Sequence, residues 1–537
     1  MLGDFLSISS PQSWGARGAN QQYSPLLLFI MGLLEAQVHQ SLKEFLRQQP
    51  QSLWTHHLTM ARLVSRALRL QRSALIQTGS SPSRYYLSYL LPALLSEKPI
   101  LLVVSDRIKE QLENIEIPQL QQWLHQHQGS ISVENLIITT PQIWLRDRLE
   151  KTDHFPTNIT TVIDQADYLE EWARDYLSLS LNSENWEQLM HAVPQHQELI
   201  RETRIYLTKA LFLHPPNPYE CYLLEKAEKE YLSYLLNKLE KNLPEKNNFL
   251  SPFETFWKQW QKTKENQLLW ATINREKGQF TLHLSPIDLA NYLKPLWQVS
   301  LVMIGSFLDA DKDAKTFRKN IGLEDLLCLK FLPSRQSQSI QLYLPDRLPL
   351  PNTPEFKGVI FEQIQQLIRI TFNQYQQNSF FKTSNNIVIL LDDVPLKAQL
   401  GSILAAEFGT KVQIEKTHLS QNNILISGWD FWHYHQDDLP LPQLLIIATL
   451  PLPSLEHPLV ASRVNYYKRQ HQDWFRSYLL PTALQAIQRA VMPLRESQGI
   501  VTILDSRVNS HSYGKRILGA LEPYAKSNYI DDSWFKN

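Results

Sequence analysis

The sequence predicts an α/β protein with two doubly wound parallel-sheet domains in tandem, the first interrupted by a helical insertion. Three observations carry this. Short runs of Ile, Leu and Val alternate with helical spacing through residues 74–167, a second such series runs from Ile387 to Leu504, and between residues 168 and 261 the strand signal falls away. Strands separated by helices need crossover connections, which make a sheet parallel and bury it on both faces.

The elements follow in order. Glu35 to Leu75 carries two helices, with Leu42, Phe45 and Leu46 on one face of the first and Ala61, Val64, Ala67 and Leu68 on the second. Ala74, Leu75 and Ile76 form a strand, QTGSSPSRYY a loop of small residues, and Leu87 to Leu95 an apolar helix, which together have the geometry of a phosphate-binding loop. Ile100 to Val104 and Leu136 to Thr140 are the next strands. Ile159 to Ile163 is a fourth, and VIDQAD, Val162 to Asp167, sets two carboxylates and an amide at its carboxyl end. An Asp placed there can hold Mg²⁺, directly or through water, although any strand can end in Asp.

Tyr168 to about Gln261 is rich in Leu, Glu, Lys, Gln and Trp, with helical spacing at Leu224, Ala227, Tyr231, Leu235 and Leu239. It reads as a helical insertion whose aromatics pack a core rather than stack on bases. Strands return at Gln279 to Leu284 and Val299 to Ile304, completing the first domain. After a crossover ending in the proline-punctuated Leu344 to Asn352, the second domain opens with a helix from about Phe356 to Tyr375. Its strands are Ile387 to Leu391, Gln413 to Glu415, Ile424 to Ser427, Leu444 to Ala448 and Gly499 to Leu504. The expected division is 1–50 (extension and lead-in helix), 51–167 and 276–340 (first domain and crossover), 168–275 (insertion) and 341–537 (second domain).

A chain of 537 residues has room for roughly three to four domains of about 150 residues each. Lys and Arg total 53, matched by 53 Asp and Glu, so nucleic acid or membrane would have to be met by a local patch. Two cysteines, Cys221 and Cys328, exclude a disulfide framework, a four-thiolate zinc site and a four-cysteine iron–sulfur cluster within one chain. They are expected to be buried thiols in a reducing cytoplasm. Leu26 to Leu34 is too short to span a bilayer and lacks the flanks of a targeting signal, so no membrane partner is expected; Met31 is a candidate natural start.

The most specific stretches are ISGWDFWHYHQDDLPLPQLLIIATLPLPSLEHPLVASR, Ile426 to Arg463, and LPTALQAIQRAVMPLRESQGIVTILDSRV, Leu480 to Val508, followed by SYGKRILGALEP. On these residues the chain resembles the DinG/XPD family of superfamily two DNA helicases, from about Trp54 to Pro523. The resemblance implies RecA-like sheets, an ATP and Mg²⁺ site between them, single-stranded DNA as partner, and hydrolysis of an acid anhydride as the ancestral reaction.

Where the family keeps its chemistry, this sequence departs from the pattern. The family's first loop ends Gly-Lys-Thr or Gly-Lys-Ser; here it keeps Gly79, Ser80, Ser81 and Ser83, Pro82 has no N–H to offer, and the Lys falls at Arg84 or Tyr85 depending on a one-residue gap. Arg is not a like-for-like Lys in a tight loop, so weak binding of ATP is expected. Asp164 stands at the family's Mg²⁺-binding Asp. The family's Asp-Glu-Ala-His is Asp-Gln-Ala-Asp, which puts the amide of Gln165 where an acid would orient water and leaves Asp167 as the nearest substitute. Aligning Gln488 to Arg495 with the family's QGxGRxIR puts Met492 where the first Arg belongs and leaves Arg495 as the survivor. Gln165, Asp167 and Arg495 are thus the candidate catalytic positions, each degenerate in itself or in its neighbours. His57 replaces an adenine-reading Gln, and Gly305-Ser306-Phe307 replaces the linking Ser-Ala-Thr. No cysteine lies between Leu112 and Ile159, where the family's cluster ligands belong, and the residues before Trp54 are too few for an amino-terminal exonuclease domain.

In the family, loops at strand ends hold the nucleic-acid backbone. The corresponding residues are Ser105, Arg107, Thr139, Thr140, Ser427 and Trp429, which read equally as ordinary loop residues. Tyr466-Tyr467-Lys468-Arg469 is either a solvated helix face or a nucleic-acid patch, and His433 with His435 lacks a third metal ligand. Three functions are compatible with these residues. One is a helicase-derived, nucleic-acid-binding protein impaired in ATP hydrolysis; the second is a working helicase with Arg84 for Lys and Asp167 for Glu; the third is a scaffold that meets a protein partner through the insertion. The three substitutions favour the first.

Overall fold

Leu101 and Leu102 are both fully buried, yet they belong to apolar cores on opposite faces of one sheet. Successive side chains of a strand point to opposite faces, so this pair alone requires cover on both sides. The computed structural model describes residues 33–49, 54–128, 135–240, 251–262, 266–335, 338–377, 386–419 and 422–530; most of the apolar run from Leu26, and Met31, lie outside the described residues.

The first lobe contributes β1 (Ala74–Gln77), β2 (Ile100–Val103), β3 (Leu136–Thr139) and β4 (Thr160–Ile163). The insertion supplies β5 (Leu179–Leu181), β6 (Cys221–Leu223), β7 (Gln267–Asn274) and β8 (Gln279–Pro286), and the first lobe resumes with β9 (Leu301–Gly305) and β10 (Leu327–Lys330). The first-lobe strands pair in parallel in the order β10-β1-β9-β4-β2-β3. Because β1, β9 and β4 are neighbours, the loops that follow them meet at the carboxyl edge of the sheet, where open α/β sheets place their ligands.

The second lobe contains β11 (Ile340–Tyr343), β12 (Ile387–Leu390), β13 (Val412–Ile414), β14 (Ile424–Ser427), β15 (Leu444–Ile447), β16 (Ile500–Ile503) and β17 (Tyr524–Ser527). They form a parallel sheet ordered β13-β14-β12-β15-β16-β11-β17. Val388, Leu425, Leu445 and Val501 pack on one face, and Ile387, Ile424, Leu444 and Ile500 on the other. The sequence predicts a helix near Phe356 as the first element of this lobe; the structure begins it earlier, with β11 between β16 and β17. Only four residues long and interrupted by Gln341, β11 is too short to show a period.

The insertion is helical, with Trp186, Phe253, Phe256, Trp257 and Trp260 buried in its own core as packing residues. It also carries an antiparallel sheet ordered β5-β8-β7-β6. This corrects the sequence assignment of Gln279 to Leu284, which pairs with β7 and β5 and not with the first-lobe sheet. The signal was present: Leu269, Ala271 and Ile273 alternate with exposed or half-exposed neighbours, and Gly278, at φ +63°, closes the turn to β8. Cys221 is buried, and burial pushes its thiol up to about 12. Cys328 is only half-buried and donates to the Asp313 carbonyl at 3.3 Å. Among the described residues no helix is long and apolar enough to cross a membrane.

Candidate functional site

The helical turn after the phosphate-type loop places Tyr85 and Tyr89 four residues apart, hence on one face. That face looks at the end of β4. Asp164 is 0% exposed; its Oδ1 accepts from the Tyr85 hydroxyl and its Oδ2 from the Tyr89 hydroxyl, each at 2.8 Å. Burial pushes the Asp164 carboxyl up to about 6, while the two hydroxyls pull it down. Tyr85 thus occupies one of the two positions available to the family's Lys, and it brings a neutral hydroxyl where the Lys would bring a charge.

The loop itself is tied to the chain. Thr78 N–H donates to the Gly305 carbonyl at 2.8 Å, Gly79 N–H to the Ser306 carbonyl at 3.0 Å, and Ser80 N–H to Thr78 Oγ1 at 3.4 Å. A phosphate cradle needs those amides directed at the ligand. Gly79 sits at φ +62°, Ser80 is buried with no partner for its Oγ, and Ser81 and Ser83 face each other at 3.1 Å between hydroxyl oxygens. Arg84 is half-buried.

Asp167 connects three elements. Its carboxylate accepts from the backbone N–H of Ser306 at 2.9 Å and of Phe307 at 2.6 Å, while Ser306 Oγ donates to the Ser80 carbonyl at 2.8 Å. Burial raises the Asp167 carboxyl against the nearby Arg489 charge and these amides. A Cβ at Gly305 would meet both Asp167 carboxylate oxygens at 3.0 Å and the end of the Leu308 side chain at 2.5 Å, so any other residue there has to displace Leu308 and crowd the carboxylate. The replacement of Ser-Ala-Thr by Gly305-Ser306-Phe307 therefore keeps a physical link between the loop and the end of β4.

From the second lobe, the helix Leu480–Ser497 sends two side chains to the Asp167 backbone carbonyl: Gln485 Nε2 at 2.9 Å and Arg489 Nη2 at 2.6 Å. The Arg489 guanidinium also lies 3.9 Å from the centre of the Tyr168 ring, on which His433 stacks at 5.3 Å. His433 Nε2 is 3.0 Å from Glu171. Burial alone would raise the Glu171 carboxyl; the His433 hydrogen bond, with the charges of His433 and Arg489, brings it below its ordinary value. Arg489 was not among the sequence candidates. Its signal was its place one turn before Met492, on the same helix face.

Arg495, the expected survivor, is corrected by the structure. It is 0% exposed inside the second lobe and donates to the carbonyls of Gln338 at 3.2 Å, Pro523 at 3.3 Å and Leu521 at 2.7 Å. Burial lowers its guanidinium to about 10. It closes the crossing between the helix and the two strand-entry segments and does not line the interlobe cleft.

Of the residues placed at the nucleic-acid surface, Thr139, Thr140, Ser427 and Trp429 are buried. Ser427 Oγ donates to the Gly428 carbonyl at 2.8 Å and the Trp429 indole to the Thr449 carbonyl at 3.3 Å, because groups at buried strand ends must be satisfied by the chain. Ser105 donates to Gln165 Oε1 at 2.6 Å, with Gln165 held at φ +53°. Arg107 reaches across to Asp438 at 3.0 Å. His57 is buried, bonded to Ser88 at 2.9 Å, and burial lowers its imidazole to about 4, so it faces the core.

The structure brings Ser81, Ser83, Gln165 and Asp167 together with Arg489 and Met492 around a cleft of roughly 190 Å³; Gly79, Ser80, Arg84, Asp164 and Arg495 do not line it. A second cavity, of roughly 360 Å³, shares Asp167, Gln436 and Arg489 with it and falls within the range of about 300 to 1,000 Å³ of small-molecule pockets. The residues do not fit a hydrated Mg²⁺, since an octahedral ion needs open oxygens and room for water. Both Asp164 oxygens are capped, and among the described residues no three His, Cys, Asp or Glu side chains form a cation-binding group.

The helicase C-terminal domain family matches residues 438–524. Over 259 residues, 47% of this chain, the sequence is 24% identical to the ATP-dependent DNA helicase YoaA of Escherichia coli (strain K12). Over 129 residues, 23% of this chain, it is 28% identical to the 3'-5' exonuclease DinG of Bacillus subtilis (strain 168). These matches span 40% and 14% of the two relatives. An apo XPD structure aligns with a TM-score of 0.56 at 15% identity, covering 87% of this chain and 100% of that one. The Xpd4 structure from S. tokodaii gives 0.56 at 13% identity, covering 88% and 99%. The matched carboxyl-terminal domain and the two sequence relatives support kinship with the DinG/XPD-like helicases, and the XPD structures show a shared fold.

Proposed function

We propose that this chain is a nucleic-acid-binding protein of helicase descent whose interlobe site does not turn over ATP. The observation that carries the reading is the Tyr85–Asp164–Tyr89 contact, which fills the place where a phosphate, its Lys and its Mg²⁺ would meet. The alternative of a working helicase requires Asp167 to act as the base. Its carboxylate is buried and committed to two backbone amides, which favours the first reading. Single-stranded DNA is the proposed ligand, on the analogy of the matched relative named as a DNA helicase. ATP turnover is measured with and without single-stranded DNA, for the wild type and Asp164→Ala. The expected result is no DNA-stimulated turnover in either protein. Robust stimulated turnover that Asp164→Ala abolishes would replace this reading with that of an active helicase.

A further inference from the structure

We infer that the cavity of roughly 360 Å³ beside the interlobe cleft is a binding site for a small organic carboxylate, a monoanion with an apolar body and one hydroxyl. Its occupancy depends neither on ATP turnover nor on nucleic acid. Four helices contribute the side chains that decide its chemistry: Arg174 from Leu169–Leu177, Trp432 from Trp429–His435, Arg463 from Pro458–Arg469 and Arg489 from Leu480–Ser497.

Donors that lack acceptors point to the charge of the ligand. Among the described residues Trp432 Nε1, Arg463 Nε and Arg489 Nε are buried with no partner, although Arg463 Nη1 reaches the Tyr478 hydroxyl at 3.4 Å and Arg489 Nη2 the Asp167 carbonyl at 2.6 Å. Buried polar atoms are nearly always paired, so three orphaned donors around one cavity call for oxygen acceptors from outside the chain. A second observation agrees. Arg174, which donates to the Pro286 carbonyl, is lowered to about 9 by burial and by the charge of Arg463. An anion beside the two guanidinium groups relieves that repulsion, and a carboxylate matches their planar fork.

The acidic part of the lining limits the ligand to a single charge. Five carboxylates and three arginines face the cavity. Glu170 accepts from Asn320 at 3.1 Å, Glu171 pairs with His433 at 3.0 Å, the Asp167 carboxylate is held by two backbone amides, and Asp175 and Asp430 are exposed. A monoanion is therefore admitted, whereas a polyphosphate or a nucleic-acid backbone is repelled. Gln436 Oε1, also in the lining and buried with no partner, takes the hydroxyl, and the rings of Trp429 and Phe317 take the apolar body. In the alignment that sets Met492 at the family's Arg, Arg489 stands at a Gly, so this donor is the chain's own addition.

The test is isothermal titration calorimetry of mandelate into the full chain, with mandelamide as its uncharged counterpart, phenylacetate as the form without a hydroxyl, and ATP and inorganic phosphate as competitors. Mandelate should bind, mandelamide about tenfold or more weakly, and phenylacetate about threefold more weakly. Arg463→Gln should weaken mandelate about tenfold and Trp432→Phe about threefold, while Lys357→Ala, at an exposed cation elsewhere, should match wild type. Trp432→Phe keeps the ring and removes the N–H, so it reads the site even where Arg463→Gln fails to fold. Bound mandelate should slow hydrogen exchange in Leu169–Leu177 and around Arg463 together. Protection confined to other segments, equal affinity for mandelamide, or affinity indifferent to both substitutions overturns the site. Displacement by ATP or phosphate shows a general anion site and overturns the carboxylate assignment. No binding of mandelate, phenylacetate or lactate at millimolar concentration overturns the inference outright and leaves the proposed function standing.

Discussion

Each lobe holds a charged residue that the sequence resemblance sets at a catalytic position, Asp164 and Arg495, and each answers that charge internally, but by different means. In the first lobe Asp164 is met by two side-chain hydroxyls, which a point substitution can remove. In the second, Arg495 is met by three main-chain carbonyls, which are there for as long as the fold is. A retained Asp or Arg therefore says little about activity until its partners are known. The first lobe holds a carboxylate in an adjustable plug; the second has made a guanidinium part of its framework.

The largest expected effect breaks the second half of this comparison. Arg495→Ala removes the guanidinium donor from the Gln338, Leu521 and Pro523 carbonyls, of which Pro523 keeps the Ile340 N–H, and opens a hole in the core; it should cost about 3–5 kcal/mol in urea unfolding followed by tryptophan fluorescence. A loss below about 1 kcal/mol would mean that Arg495 is not part of the framework.

Next comes Asp164. Its carboxyl is raised from an ordinary 3.8 to about 6. The folded state thus binds the proton more tightly than the unfolded one, so the stabilisation is full below about pH 4 and is lost as pH rises through 6. The difference is worth about 3 kcal/mol. The melting temperature of Asp164→Asn, measured against wild type, should therefore gain on it from pH 4 to pH 8. A gap constant with pH would show that the plug does not hold a raised carboxyl.

Arg489→Ala tests the contact that joins the two halves. A charge-assisted hydrogen bond is worth about 1.5–3 kcal/mol, and with Gln485 still bonded to the same carbonyl a loss of about 2 kcal/mol is expected. Hydrogen exchange should rise in both Ala166 to Leu169 and the segment around Gln485. A rise confined to one lobe would argue that Arg489 serves only its own helix.

Much of the fold could be read because buried parallel strands are short runs of Ile, Leu and Val, as at β2, β4, β12 and β15. The missed strand β7, partner of the β8 that the sequence did show, obeys a different rule, alternation with one face half-exposed, and it was hidden by its helical surroundings. At the site, the positions of Asp164, Gln165 and Asp167 after β4 were legible, but the surroundings of Asp164 were not. Its partners lie 75 and 79 residues away, and hydrogen bonds over such separations leave no local period. The spacing of Tyr85 and Tyr89 was visible, but nothing in it said which strand end the pair would face. Arg495 and Arg489 lie on one helix, and their opposite destinations are set by packing against other segments, which helical periodicity cannot assign.

The acceptor for Gln485 and Arg489 is the main-chain oxygen of residue 167, not its side chain. A backbone oxygen is present whatever amino acid stands there. The fastening between the lobes and the tie from the Asp167 carboxylate to Ser306 and Phe307 are therefore separate contacts, and a substitution at 167 acts directly on the second alone.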